Sequence, residues 1–273
     1  MARVGLIGVG NMGGACARAW LSKKIVPAAD LVLVERDGVK VGELTGTLGV
    51  AVDVNADRIA SCDLVFLAFK PQDFAGSAAA LRPHLRSGQV VISLLAGTTI
   101  TQLQRELGSV QEVVRVMPNI NSTIGRGVSV CFAGPGVTAE QQGAIVRLLN
   151  GVGTAFFVHD EALIDAATAV SASGPGYIFY IIEHMVGAAE SLGFNRAEAD
   201  KLVAETIAGS IAMWQESKLE PEELRAMVTS KGGTTAAAIE VFERGYLGKI
   251  LKAGILRADE RCRELARGVP PVK

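Results

Sequence analysis

The chain has 273 residues, 49% of them hydrophobic, with 27 Lys plus Arg against 28 Asp plus Glu and a formal net charge of −1. That length suits one large or two modest domains with a sizeable core. The near-neutral balance implies no basic face for nucleic acid, and the long charge-free stretch AATAVSASGPGYIFYII is broken by Gly-Pro-Gly, so no membrane span is expected. Cys16, Cys62, Cys131 and Cys262 are scattered, with no CxxC pair. They read as buried thiols of a cytoplasmic protein, not as a disulfide framework or a metal site.

In chain order, RVGLIGV reads as a strand and not as a signal peptide, followed by a helix over 12–21. DLVLVE and DLVFLAF are the next strands, the second followed by a helix over 74–81. QVVISLL is a strand, and TITQLQRELG a helix. EVVRVM, GVSVCF and GTAFFV are further strands. A helix precedes the last of them, starting at a Thr138–Gln141 capping box. Strand–helix alternation with continuous Val/Ile/Leu strands predicts a mostly parallel, doubly wound sheet of Rossmann type. After residue 160 the strands stop. Helices are predicted over 161–170, 177–192, 197–214, 221–227, 235–244 and 247–267. The division is therefore 1–160 for an α/β domain and 161–273 for an all-α domain. In the third of these helices Val203, Ile207 and Ile211 form one row, and Ala204, Ala208 and Ala212 another. That face is wider than one neighbouring helix needs, which points to a second copy of the chain.

GVGNMG places Gly8, Gly10 and Gly13 in a G-x-G-x-x-G pattern directly after a strand and at the opening of a helix. In that context the pattern predicts a dinucleotide site, with Gly8 making the turn, Gly10 admitting the pyrophosphate and Gly13 packing helix on strand. Glu35 ends the second strand, where an acid accepts from the adenosine ribose of NAD. Arg36 follows at once and can pair with a 2′-phosphate, so the reading leans to NADP, with NADH still open. Asn55 can add a donor. Lys70, with Pro71 stiffening the turn, sits just past the carboxyl end of the third strand, where an open α/β sheet binds its ligand. Ala96 and Gly97 end the next strand similarly and are assigned to the nicotinamide side.

Reducing a ketone leaves an alkoxide and calls for a strong acid such as His. Here His84, His159 and His184 lie in no motif. A protonated imine becomes a neutral amine, so a threonine hydroxyl can suffice. SKGGTT supplies such a group beside a potential anion cradle: Ser230, Gly232, Gly233 and Thr234 ahead of a helix, with Thr235 as the donor. Lys231 adds positive charge nearby.

VTSKGGTTAAAIEVFE, together with FLAFKPQ, RVMPNINSTIGRGVS and AVSASGPGYIFYIIE, resembles the four landmarks of the pyrroline-5-carboxylate reductases, in the same order and at similar spacing. The resemblance spans nearly the whole chain. It implies NAD(P)H-dependent reduction of 1-pyrroline-5-carboxylate to L-proline, the last step of proline biosynthesis. It also implies a helical dimerisation domain, often assembled as a pentamer of dimers, with Ser230 and Gly232 to Thr235 on the substrate loop, Glu161 near the substrate, and Ile7, Gly8, Val9, Gly10, Asn11, Met12, Asn55, Ala68, Phe69, Lys70, Pro71, Ala96 and Gly97 on the cofactor side. Lys231 departs from the proline common there. A β-hydroxyacid dehydrogenase would need a lysine in SASGPGYIFYIIEHMVGAAESLGF, which has none. A cofactor-binding protein without catalysis would have no use for the substrate loop.

Overall fold

Eight short apolar runs pair into one sheet in the order β3-β2-β1-β4-β5-β6-β7-β8. The computed structural model describes residues 2–108 and 110–266. The strands are β1 (Val4–Ile7), β2 (Leu31–Val34), β3 (Val52–Asp53), β4 (Leu64–Leu67), β5 (Val90–Ser93), β6 (Val113–Met117), β7 (Gly127–Ala133) and β8 (Gly153–Phe157). All neighbours are parallel except β6 and β7. The first six strands follow the dinucleotide-binding order.

Between the strands lie α1 (Asn11–Ser22), α2 (Gly38–Leu48), α3 (Phe74–Leu81), α4 (Ile100–Leu107) and α5 (Ala139–Leu149). Successive side chains alternate across the sheet, so each strand feeds two cores. Leu6, Leu33, Phe66 and Ile92 pack on the face covered by α1 and α5. Ile7, Val34, Leu67 and Val91 pack on the face covered by α3 and α4. Trp20 anchors the first core, fully buried, with its indole N–H donating to the Leu148 carbonyl at 2.8 Å and its ring centroid 5.0 Å from that of Phe66. The Thr138–Gln141 capping box forms as the sequence implies. α2 and β3 are elements that the sequence reading passes over. Gly42, Gly46 and the β-branched residues of GVKVGELTGTL lower helix propensity. The helix forms because Asp37 caps its start and Gly49, at φ 67°, closes its end.

The C-terminal helices are α6 (Ala162–Ala167), α7 (Gly174–Ser191), α8 (Arg196–Ser217), α9 (Pro221–Met227), α10 (Thr234–Arg244) and α11 (Leu247–Ala266), with a π-turn over Thr168–Ala172 between α6 and α7. Residue 267, the predicted last residue of the final helix, lies outside the described residues. The chain divides into two compact units. One holds the sheet, α6, the π-turn and the end of α11 from Ala258; the other is Gly174–Arg257. In the helical unit the buried apolar cluster is small: Val186, Ala199 and Val203, with Ile182, Ala189 and Ile207 packed against it. Ile211 and the alanine row of α8 stay exposed, as do Phe179, Trp214 and Phe242.

No helix among the described residues is long and apolar enough to cross a membrane. All four thiols are free and buried, and burial pushes Cys16 and Cys131 up to about 12.

Trp20→Ala is expected to destabilise the sheet unit by about 3–5 kcal/mol, through the cavity and the orphaned Leu148 carbonyl. Chemical denaturation followed by circular dichroism checks this.

Candidate active site

Parallel pairing brings four strand ends to one edge. Ile7 sits opposite both Val34 and Leu67, and Leu67 opposite Ser93. The loops that follow therefore leave from one level, as the sequence reading requires of Gly8, Glu35, Ala68 and the 94–99 loop.

The glycine loop has the form its motif implies. Gly8 has φ +91°, and a Cβ there would lie 2.9 Å from the Ala68 carbonyl carbon and the Phe69 nitrogen. A Cβ on Gly13 would overlap the Gly8 carbonyl oxygen, whereas one on Gly10 would meet nothing within 4 Å. The first and third glycines are thus demanded by close packing. The second leaves open space in front of α1, whose first turn carries no side-chain cap. Uncapped N–H groups and a positive helix end facing open space suit a pyrophosphate.

Glu35 reaches across to this loop. Its two carboxylate oxygens accept from the backbone N–H groups of Val9 at 3.0 Å and Asp37 at 3.2 Å. The acid thus ties the end of β2 to the glycine loop. Arg36 pairs with Asp73 at 3.0 Å, its side chain 71% exposed. So exposed a pair is weak, and the guanidinium can leave it for a phosphate at little cost. Lys70 is exposed at the turn into α3, with Pro71 next to it, and Asn55 is exposed after β3. Ala96 is exposed, and Gly97 turns at φ +71°.

Glu161 uses one oxygen twice, accepting from the Ile100 N–H at 2.9 Å and from Arg115 Nη1 at 2.8 Å. Arg115 Nη2 also donates to Asp165 at 2.9 Å. The sequence reading missed Arg115, Asp165 and Asp73. Arg115 carried a signal, a lone charge within the apolar strand VVRVM. The other two needed the fold.

In the helical unit, SKGGTT closes a turn between α9 and α10. Gly232 has φ +74°, and the Gly233 N–H donates to the Ser230 carbonyl at 3.0 Å. A Cβ on Gly233 would collide with Ser230 Oγ. Gly233 is itself the N-cap of α10, and no side chain caps the first turn. The first turn of α10 therefore presents its N–H groups with the dipole's positive end, a ready seat for a carboxylate. Thr234 is exposed and Thr235 half-buried beside it. Of the histidines, His84 lies 3.4 Å from Asp57, and His184 bonds the Tyr180 carbonyl one turn back on its own helix.

Residues 161–265 match the model of the pyrroline-5-carboxylate reductase dimerisation domain, and 3–97 match that of the NADP oxidoreductase, coenzyme F420-dependent. The curated pyrroline-5-carboxylate reductase of Pseudomonas aeruginosa is 37% identical over 97% of both chains. The chain belongs to the pyrroline-5-carboxylate reductase family. Among solved structures, a pyrroline-5-carboxylate reductase from Coxiella burnetii is 30% identical over 97% of this chain and 98% of that one, with a TM-score of 0.90. The pyrroline carboxylate reductase of Plasmodium falciparum, solved with NADP bound, is 25% identical over the same shares, with a TM-score of 0.85.

Arg36→Ala is expected to weaken NADPH binding about 10-fold and NADH binding less than about 2-fold, the outcome expected of a guanidinium that meets the 2′-phosphate. Fluorescence titration of the two reduced cofactors checks this; equal losses would remove the phosphate contact.

Proposed function

We infer that this protein is an NADPH-dependent pyrroline-5-carboxylate reductase, converting 1-pyrroline-5-carboxylate to L-proline as the last step of proline biosynthesis. One observation carries the reading: a pyrroline-5-carboxylate reductase dimerisation model matches 161–265 and an NADP oxidoreductase model matches 3–97. The glycine loop and the α1 N-terminus would hold the pyrophosphate, Arg36 the 2′-phosphate, and the Lys70 and Ala96–Gly97 loops the rest of the cofactor. Bound NADPH supplies the hydride. Ser230, Gly232, Gly233 and Thr234 shape the seat for the substrate carboxylate at the α10 N-terminus. Thr235 offers its hydroxyl to the ring nitrogen. Reducing a protonated C=N gives a neutral amine, so a weak donor serves, and no histidine is called for.

The matched dimerisation domain and the thin core of the helical unit support a homo-oligomer. We assign its basic form as a homodimer built on the open faces of α7 and α8, assembled further as a pentamer of dimers. The functional division at 160/161 follows the end of the sheet and the start of that match. The free thiols suit the cytoplasm.

Purified protein with NADPH and pyrroline-5-carboxylate is expected to consume the reduced cofactor. Thr235→Ala is expected to lower kcat about 100-fold while NADPH affinity stays within about 2-fold, and Thr235→Ser to restore most of the rate. Cofactor binding without turnover in the unmodified protein would leave a binding protein and no enzyme.

A further inference from the structure

Arg115 occupies the middle of β6, its side chain 3% exposed. A buried guanidinium is expensive, and apolar replacements of such groups are often neutral or stabilising. Stability therefore gives little reason for a charge at this place. Its partners suggest another reason. Nη1 holds Glu161 and Nη2 holds Asp165, while Nε has no partner. The Glu161 oxygen that takes Nη1 also takes the N–H of Ile100, the first residue of α4.

That N–H ends the 94–99 loop, which follows β5 at the cofactor edge. The loop is anchored at its start by Leu94 N–H donating to the Leu67 carbonyl at 2.9 Å. At its far end Thr99 already caps α4 by accepting from Gln102. A side-chain cap satisfies one of the four orphan N–H groups at a helix start. Here a second acceptor, charged and held by a buried arginine, fixes the same turn, at the end where a carboxylate also gains from the dipole.

We propose that Arg115 and Glu161 are a positioning pair that sets the Ala96–Gly97 loop, and through it the nicotinamide, without touching the substrate. The proposal rests on the reductase reading given above. It is offered in place of the substrate contact expected of Glu161 from sequence, on the ground that Oε1 already serves two donors, Ile100 N–H and Arg115 Nη1.

The test uses the full-length protein with NADPH and pyrroline-5-carboxylate, and the variants Glu161→Ala, Glu161→Gln, Arg115→Lys and the double variant Arg115→Lys/Glu161→Ala. Glu161→Ala is expected to lower kcat about 10- to 30-fold, a loss within reach of a sub-ångström misplacement of the reacting groups. KM for the imine is expected to stay within about 2-fold, because no substrate contact is lost. Glu161→Gln is expected to recover most of kcat, since its amide oxygen still accepts from Ile100. The double variant is expected to be no slower than Glu161→Ala alone, the mark of two residues acting as one unit. The emission of bound NADPH reads the nicotinamide pocket with no imine present. It is expected to shift towards that of free cofactor in Glu161→Ala but not in Glu161→Gln.

A KM raised as much by Glu161→Gln as by Glu161→Ala would overturn the proposal in favour of direct contact. Unaltered emission and kcat with only a lowered melting temperature would overturn it in favour of plain scaffolding. Absence of turnover in the unmodified enzyme would sink the reductase reading instead, and the emission series would still decide the pair.

Discussion

Gly8 is where the sheet unit has least freedom. Its backbone lies against Ala68 and Phe69 so closely that no β-carbon fits, and the Gly8 carbonyl in turn blocks one at Gly13. The β1 and β4 loops are thereby locked together at the strand ends, and α1 is pressed onto them. Only Gly10 is left facing open space. Glu35 closes the third side by accepting from Val9. The edge above the strand ends is thus pre-formed by backbone packing, with Arg36, paired to Asp73, and Lys70 exposed around it.

The helical unit solves a different problem with similar means. An α-helix start that no side chain caps suits an anion, and a positive-φ glycine followed by the N-cap Gly233 makes α10 such a start. Specificity for a carboxylate then needs no buried charge. The acid strength required of the protein is low because the reduced centre is an imine, which agrees with histidines that bind locally near Asp57 and Tyr180.

Seven of the eight strands were legible because buried strands leave unbroken Val/Ile/Leu runs bounded by turns, whereas the two-residue β3 and the order of the strands were not. The glycine fingerprint was legible because Gly8 and Gly13 answer close packing while Gly10 keeps the space before α1 open. α2 was not, since its start and end signals, Asp37 and Gly49, flank a segment of poor helix formers. Pairs far apart in sequence were not legible either. Nothing near Arg36 names Asp73, and nothing near Glu161 names Arg115, because such partners are set by strand order and by which loops share an edge. The charge inside VVRVM was the one visible hint that β6 does more than fill the core.

The carboxylate seat at α10 is the feature on which the assignment of substrate turns, and a truncated substrate tests it most directly. Kinetics of pyrroline-5-carboxylate are to be compared with those of 1-pyrroline, which lacks the carboxylate, in the unmodified enzyme and in Gly233→Ala. Two charge-assisted hydrogen bonds correspond to a preference of about 100-fold or more in kcat/KM. The account predicts that preference in the unmodified enzyme. It also predicts that Gly233→Ala collapses it to a few-fold while leaving 1-pyrroline reduction unchanged. Equal losses for the two imines, or no preference to begin with, would contradict it.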